Sequence, residues 1–211
     1  MIFGLIGMSG VGKTTWANRL AAAGFTCLHC DDLIAERLQA HGVVSDTSIT
    51  AIGHWMSIPN DNQYPAREAL YLAYETDVLQ IITASLATNP NPHLPLLIDL
   101  TGSAIYVAPP ILAALRRHTT IVYLAATAAQ HADLLGAYLA SPRPVLWNGH
   151  YQPIAGETSQ AALARCYANL LRDRASRYAA LAHVTLYPDL HQNPNVTAND
   201  FLRHVLAEIR Q

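Results

Sequence analysis

Residues near the N-terminus have the types and spacing of a phosphate-binding loop. Gly7 is followed after four residues by Gly12-Lys13-Thr14, which fits the pattern G-x-x-x-x-G-K-[ST]. Because glycine has no side chain, successive backbone N–H groups of such a loop can converge on phosphate oxygens. The ammonium group of Lys13 would reach the outer phosphates, and the hydroxyl group of Thr14 would bind Mg²⁺. We expect the phosphates to be bound by Gly7, Ser9, Gly10, Val11, Gly12, Lys13, Thr14 and Thr15.

The segments around this loop favour phosphate binding over the alternative interpretation, a glycine-rich turn between a strand and a helix. The apolar run 2–6 predicts a buried strand, and residues 14–23 have a helical pattern. The N-terminus of that helix would add partial positive charge beside the loop. Lys13 is also the only lysine of the chain. Strand, loop and helix therefore occur in the order that phosphate binding requires.

Short apolar segments alternate with helical patterns along the rest of the chain. A parallel sheet covered by helices on both faces produces this alternation, so the sequence predicts a three-layer α/β fold. The predicted strands are 2–6, 25–29, 94–100, 120–124 and 184–187; the predicted helices are 14–23, 31–40, 45–57, 65–86, 109–117, 127–139, 158–181 and 197–209. Residues 188–195 predict a loop, and the length of 211 residues predicts a single domain, 1–211.

The composition argues against several classes of partner. The net charge is −2 and no basic stripe stands out, so we expect no nucleic-acid partner. No apolar run approaches the roughly 18 residues of a membrane-spanning helix, so we expect no membrane partner. The absence of a signal peptide and the three cysteines without a disulfide pattern indicate a cytoplasmic protein. Cys27 and Cys30 have redox or metal spacing, but strand positions three apart face opposite sides, so we expect buried thiols.

Carboxylates follow the predicted second and third strands. Ligands of parallel sheets bind beyond the C-terminal strand ends, where the phosphate loop and these carboxylates would converge. Asp99 ends an apolar strand and would hold the Mg²⁺ shell; the alternative is a solvated aspartate. Asp31 and Asp32 open a helix, which they would cap and stabilise by charge. A carboxylate at that place could also orient or deprotonate an acceptor hydroxyl group.

Residues 141–157 are rich in proline and glycine and predict an irregular, lid-type excursion. Arg143, which lies between two prolines, would fold onto the transferring phosphoryl group; the alternative is a solvated loop arginine. Asp99 and Gly102 also fit a GTPase motif. Guanine recognition in GTPases normally uses Asn-Lys-x-Asp, however, and the chain has no lysine besides Lys13, so we do not expect a GTPase.

Several short motifs together resemble the shikimate kinase family, a branch of the nucleoside-monophosphate-kinase-like phosphate-loop proteins. Besides the phosphate loop, the matching segments are 32–36 (like D-x-x-I-E), 64–68 (like F-R-x-x-E), 101–103 (like G-G-G), 120–124, 141–146 (like R-P-L-L), 174–182 (like R-x-x-x-Y) and 193–194. The resemblance implies a P-loop kinase fold with a five-stranded parallel sheet in the order 2-3-1-4-5. It also implies a helical substrate-binding segment at about 31–88 and a lid at about 141–157.

The resemblance further implies ATP and Mg²⁺ as cofactors and a small hydroxylated molecule as phosphoryl acceptor. Asp32 would align the acceptor hydroxyl group, and Arg174 would bind the acceptor's carboxylate. Gly102 and Arg67 would be further acceptor contacts, and Pro194 would pack on the adenine. The implied catalytic residues are Lys13, Asp32 and Arg143, and the implied metal ligands are Thr14 and Asp99. We expect a monomer.

The chain departs from the family pattern mainly in the acceptor half. Cys30 and Pro65 stand where the family has an aspartate and the substrate-binding arginine, and Thr101 and Ser103 replace two glycines. An adenine-stacking arginine after the fourth strand is not obvious. Three functions therefore stay open: a shikimate kinase, a kinase of the same fold for another acceptor such as a nucleoside, sugar acid or nucleotide monophosphate, and a non-catalytic module that senses ATP.

Overall fold

The computed structural model describes residues 1–89, 95–140 and 144–210. Within this part of the chain, five strands form one parallel sheet. The strands are β1 (Ile2–Ile6), β2 (Thr26–His29), β3 (Leu96–Asp99), β4 (Thr120–Leu124) and β5 (Val184–Leu186). Their order across the sheet is β2-β3-β1-β4-β5, which confirms the predicted α/β class and the order that the resemblance implies.

Helices alternate with the strands, as predicted. They are α1 (Lys13–Ala22), α2 (Cys30–Ala40), α3 (Ile49–Met56), α4 (Tyr64–Thr88), α5 (Pro109–His118), α6 (Ala128–Ala140), α7 (Ser159–Leu181), α8 (Pro188–His191) and α9 (Ala198–Ile209). Two short elements differ from the prediction. A 3₁₀ turn, Ala104–Tyr106, follows β3, and α8 occupies part of the predicted loop because Pro188 fixes a helical φ in its first turn.

The centre of the sheet is covered on both faces, since every residue of β1 is buried. Leu5 of β1 pairs with Asp99 of β3 and with Val122 of β4, and Asp99 in turn pairs with His29 of β2. Because these strands are parallel, their C-terminal ends lie at one edge of the sheet. The phosphate loop, Asp99 and His29 are therefore neighbours at that edge.

Packing between the helices completes the layers around the sheet. α1 contacts β3 and α9, whereas α4 contacts α2 and α5. One stripe of α4 is buried, including Tyr71, Val78, Leu79 and Ile82. The C-terminal half of α4 thus belongs to the core, while its N-terminal turns extend past the sheet edge toward the loops.

The cysteines of the second strand region lie against protein groups. Cys30 is buried at the start of α2, and the half-buried Cys27 donates its thiol to the carbonyl oxygen of Ala17 at 3.4 Å. Within residues 1–89, 95–140 and 144–210, no cluster of three or more metal-ligating side chains is found. None of the helices in that same part of the chain combines the length and the apolar character needed to cross a membrane.

Candidate active site

Glycines shape the turn between β1 and α1. Gly7 has φ 152°, and a Cβ atom there would lie 2.7 Å from the carbonyl oxygen of Leu124 on the neighbouring strand, so a larger residue does not fit. Gly12 is the N-cap of α1 with φ 104°, a left-handed conformation that glycine adopts without strain. The loop therefore wraps tightly around the point where α1 begins.

Lys13 lies inside this turn. Its Nζ donates to the carbonyl oxygens of Gly7 at 3.0 Å and Met8 at 3.1 Å, and the side chain is buried. Burial lowers the pKa of the ammonium group, while the charges of Asp99 and Asp31 oppose that shift. The only lysine of the chain is thus held by two carbonyl oxygens of its own loop, near the charges of Asp99 and Asp31.

Oxygen donors meet beside this loop. The Thr14 hydroxyl group donates to Oδ2 of Asp99 at 3.2 Å, and Nδ1 of His29 lies 3.2 Å from the same oxygen. The other carboxylate oxygen of Asp99, Oδ1, is buried and has no hydrogen-bond partner among the described residues. A hard cation such as Mg²⁺ prefers hydroxyl and carboxylate oxygens, so this orphaned oxygen and Thr14 fit the ion. His29 was not identified from the sequence, although its register opposite Asp99 places it there.

Asp31, and not Asp32, faces the cleft. Asp31 and Asp32 are both exposed residues, but Asp31 lines the cavity beside Lys13 and accepts from the Tyr71 hydroxyl group at 3.3 Å, whereas Asp32 does not line that cavity. The surrounding protein removes water from the Asp31 carboxylate and raises its pKa, against the opposing charge of Lys13. The sequence holds a signal for this choice, because the buried Ile34 and Leu38 of α2 follow Asp31, not Asp32, at helical spacing. The sequence predicts Asp32 as the acceptor contact, whereas the structure brings Asp31 to the cavity.

Three cavities adjoin the phosphate loop besides one of about 100 Å³ that is lined mostly by apolar side chains, among them Leu134, Val145 and Tyr167. One of about 260 Å³ lies over the start of α1, between Gly12, Thr14 and Asp31. A second, of about 60 Å³, lies deeper toward Gly102 and Arg174 and shares Lys13 and Asp31 with the first. A third, of about 360 Å³, lies on the other side of the loop between Arg19 and Gln192. We refer to them as the phosphate cavity, the acceptor cavity and the base-side cavity.

Gly102 and Arg174 meet at the wall of the acceptor cavity. A Cβ atom on Gly102 would lie 3.2 Å from Nη1 of Arg174 and 3.4 Å from the Tyr178 hydroxyl oxygen, so the guanidinium group packs directly on the glycine backbone. Nη2 of Arg174 donates to the carbonyl oxygen of Leu146 at 2.7 Å. Nε of this buried guanidinium has no hydrogen-bond partner among the described residues.

A buried acid stands behind the acceptor loop. Glu75 of α4 is 1 % exposed, and its Oε1 accepts from the Thr101 hydroxyl group, while Oε2 has no partner among the described residues. Burial raises the pKa of Glu75 to about 7. Thr101 also accepts from the backbone N–H groups of Ser103 at 3.3 Å and Ala104 at 3.1 Å. No motif pointed to Glu75; its place on the buried stripe of α4 was the available signal.

Arg67 and Pro194 do not line the cavities where their predicted contacts would be made. Arg67 bonds to Asp61 at 3.3 Å and to Gln63 near the start of α4, and it does not line the acceptor cavity. The guanidinium group binds these two oxygens, which lie just before the first turn of its own helix. Pro194 is exposed and does not line the base-side cavity. Arg143 lies outside the described residues.

The C-terminal loop reaches the base-side cavity two residues earlier than predicted. His191 and Gln192 line the cavity, and the Trp16 indole donates to the carbonyl oxygen of His191 at 2.7 Å. The guanidinium carbon of Arg19 lies 4.9 Å from the centroid of the Trp16 ring. Arg19 of α1 therefore brings a guanidinium group to the wall of this cavity.

The described part of the predicted lid is anchored to α4. The Tyr64 hydroxyl group donates to the carbonyl oxygen of Val145 at 2.7 Å and accepts from the backbone N–H of Trp147 at 2.9 Å. Glu68 accepts from the N–H groups of Trp147 and, at 2.8 Å, Asn148. The segment predicted to bind the acceptor through 64–68 thus holds the backbone of 145–148 instead, a contact that its sequence motif did not reveal.

Comparisons with known proteins place this geometry in a known fold. A shikimate kinase from Aquifex aeolicus is 13 % identical, with a TM-score of 0.57, covering 100 % of this chain and 96 % of its own. One from Bacteroides thetaiotaomicron is 17 % identical, with a TM-score of 0.55 and coverage of 100 % and 94 %. One from Acinetobacter baumannii, in complex with shikimate, is 19 % identical, with a TM-score of 0.52 and coverage of 99 % and 92 %.

Comparisons of the sequence found no further similar proteins. No protein-family model matches the chain, and no curated protein matches it. The similarity is therefore carried by the arrangement of strands and helices over the full length and by the phosphate loop at the sheet edge. The resemblance seen in the sequence is confirmed at the level of the fold: the chain has the P-loop kinase fold of the shikimate kinases.

Proposed function

We propose that the chain is a kinase of shikimate-kinase type, which transfers the γ-phosphoryl group of ATP to a hydroxyl group of a small acceptor. One observation carries the proposal: Lys13 and Asp31 line both the phosphate cavity and the acceptor cavity beside it. A cation for the transferring group and a carboxylate for the attacking hydroxyl group thus lie where two substrates would meet.

The phosphate half of the site supports ATP with Mg²⁺. The residues from Gly7 to Thr15 would bind the phosphates, with Lys13 leaving its loop carbonyls for the outer phosphates. Thr14 and the orphaned oxygen of Asp99 would hold Mg²⁺, which would balance charge on the phosphate oxygens. The base-side cavity, at about 360 Å³, has room for the adenine beside Arg19.

The acceptor half supports hydroxyl transfer. Asp31 would orient the hydroxyl group and accept its proton, a role that the raised pKa of this carboxylate favours. In the transfer, the bond from the γ-phosphorus to its bridging oxygen breaks and a bond from the acceptor oxygen forms, giving ADP and a phosphorylated acceptor. Gly102 and Arg174 would hold the acceptor, and Arg143 would approach the phosphoryl group from the lid.

A second candidate is a module that binds ATP and catalyses little. Thr101 and Ser103 are buried beside the acceptor cavity, which is much smaller than the other two cavities. We propose the kinase because Asp31 lines the cavity that joins the two halves of the site. We also propose that the chain acts as a single-domain cytoplasmic monomer without nucleic-acid or membrane partners.

ADP formation tests the proposal. We expect Mg-ATP turnover to rise on addition of at least one member of a panel of hydroxy acids, sugars, nucleosides and nucleotide monophosphates. Lys13→Met should reduce that turnover by about 100- to 1,000-fold, since the loop loses its charge, while circular dichroism shows an intact fold. Arg203→Met, a change at an exposed arginine of α9, serves as the control. ATP binding without stimulation by any acceptor would support the module.

A further inference from the structure

The acceptor cavity is too small for a six-membered ring acid such as the shikimate bound in the Acinetobacter baumannii structure. It measures about 60 Å³, and the cavity next to it, which shares Val145 and Tyr167 and is lined mostly by apolar side chains, adds about 100 Å³, against about 360 Å³ for the base-side cavity. Pockets for drug-sized molecules commonly span roughly 300–1,000 Å³. A six-membered ring with a carboxylate and several hydroxyl groups is comparable in size to a nucleobase. The acceptor cavity therefore has room for a much smaller molecule.

The wall formed by the acceptor loop is fixed by buried hydrogen bonds. Thr101 is 2 % exposed and Ser103 is 5 % exposed. The Thr101 hydroxyl group is bonded to Glu75 and lies 3.3 Å from that of Ser103. Turning Thr101 away would break its hydrogen bond to Glu75, a buried acid whose Oε2 already lacks a partner among the described residues. Rotation of these side chains is thus a costly way to enlarge the cavity.

The opposite walls are fixed in the same manner. Tyr71 is buried and donates its hydroxyl group to Asp31 at 3.3 Å. Val145 is held by Tyr64 at 2.7 Å, and the next carbonyl oxygen, that of Leu146, by Arg174 at 2.7 Å. Side-chain hydrogen bonds hold three sides of the cavity. Enlarging the cavity would therefore require several of these bonds to break, and not the rotation of a single side chain.

The polar groups that line these walls define the ligand chemistry. Lys13 and Arg174 carry positive charge, and Nε of the buried Arg174 still has no hydrogen-bond partner among the described residues. Asp31 offers a carboxylate for a hydroxyl group on the side shared with the phosphate cavity. A ligand with an anionic end and a hydroxyl group a short distance away would satisfy both.

From this size and polarity we infer that the phosphoryl acceptor is a short-chain hydroxy acid of about three or four carbon atoms, and that Thr101 and Ser103 exclude six-membered ring acids. The inference rests on the proposed kinase function and names its substrate class. Transfer proceeds as described above, with ATP as phosphoryl donor and the proton of the acceptor hydroxyl group passing to Asp31. The products are ADP and a phosphorylated hydroxy acid.

A size series of acceptors tests the inference. ADP formation with Mg-ATP is measured with D-glycerate and threonate as short acids and with shikimate and quinate as ring acids. We expect kcat/KM for the best short acid to exceed that for the best ring acid by at least about tenfold, because extra ring atoms have no room. Isothermal titration of the same acids without nucleotide should show the same preference.

A variant pair identifies the residues responsible. Thr101→Ser with Ser103→Gly keeps a hydroxyl group for Glu75 while removing a methyl and a hydroxymethyl group from the wall. We expect this double variant to reduce the preference for short acids by about tenfold. Thr119→Ser is the control, since Thr119 is equally buried but bonds to Leu115 away from the cavity.

The outcomes separate the two claims. Faster turnover with ring acids than with short acids in the unaltered protein would overturn the size inference and leave the kinase function standing. An unchanged preference in the double variant would overturn the role of Thr101 and Ser103. If no acid of either size stimulates ADP formation or binds, the size inference fails. Turnover with an acceptor of another class would then leave the kinase function intact, and its absence throughout the panel would overturn that too.

Discussion

Asp31 and Asp32 are adjacent acids in different surroundings. Asp31 lines the acceptor cavity together with Lys13 and bonds to Tyr71, whereas Asp32, at the next position of α2, does not line that cavity. We expect Asp31→Asn to lower kcat by about 100- to 10,000-fold, since the amide cannot accept the hydroxyl proton. Asp32→Asn is the matched control and should leave kcat near that of the unaltered protein. Steady-state kinetics with the best acceptor decide the question, and a larger loss in Asp32→Asn would return the role to Asp32.

Glu75 makes stability depend on pH. Burial raises its pKa from 4.5 to about 7, so the folded state holds this proton where the unfolded state has released it. Stability is therefore fully present below about pH 4.5 and declines as pH rises toward about 7. We expect the free energy of unfolding to fall by up to about 3 kcal/mol more in the unaltered protein than in Glu75→Gln between pH 5 and pH 8.

Urea unfolding at both pH values measures this difference. Asp31, whose pKa is also raised by burial, contributes a decline of the same sign, and the Arg174 charge opposes the shift at Glu75. Asp31→Asn measured in parallel separates the two acids. A Glu75→Gln variant with the same pH dependence as the unaltered protein would show that Glu75 is ionised in the fold at neutral pH.

At the scale of elements, α4 holds the segment 144–148 that closes the acceptor cavity. The hydroxyl group of Tyr64 bonds to backbone groups of Val145 and Trp147, and all three residues are buried. We expect Tyr64→Phe to cost about 1–2 kcal/mol of unfolding free energy, because a buried carbonyl oxygen loses its donor. Proteolytic cleavage within 144–157 should become faster as well.

Tyr74→Phe is the control for this element. Its hydroxyl group bonds to His41 at an exposed site on the same helix, where water can replace the lost partner. Denaturant unfolding and timed proteolysis should separate the two variants. Equal effects of both changes would mean that the Tyr64 contacts do not hold the segment.

At the scale of the whole molecule, nucleotide binding should stabilise the fold. The phosphate loop joins β1, at the centre of the sheet, to α1, so a ligand held there links core elements. At a concentration of 100 times Kd, Mg-ATP should raise the free energy of unfolding by about 2.7 kcal/mol. Thermal unfolding with Mg-ATP, with ATP and EDTA, and with Lys13→Met checks this. A shift that survives both EDTA and the Lys13 change would contradict the phosphate-loop assignment.

The sequence alone determined the phosphate loop and the sheet. The loop is a local structure, in which glycine backbone freedom at Gly7 and Gly12 and the adjacent Lys13 set the geometry whatever else the chain does. Alternating apolar runs and helical patterns were enough for a parallel α/β sheet, and the resemblance to the shikimate kinase family implied its strand order. These features depend on residues that are close together in the sequence or on patterns that repeat along it.

Only the tertiary structure decided the acceptor side. Asp31 rather than Asp32 faces the cleft because the packing of α2 sets the rotation of that helix. Glu75 meets Thr101, and Tyr64 meets Val145, through contacts between elements far apart in the chain. Such contacts depend on how helices pack on the sheet, which short motifs do not encode. The sequence singled out Thr101 and Ser103, but the partners that fix these side chains in the cavity wall were visible only once the chain was folded.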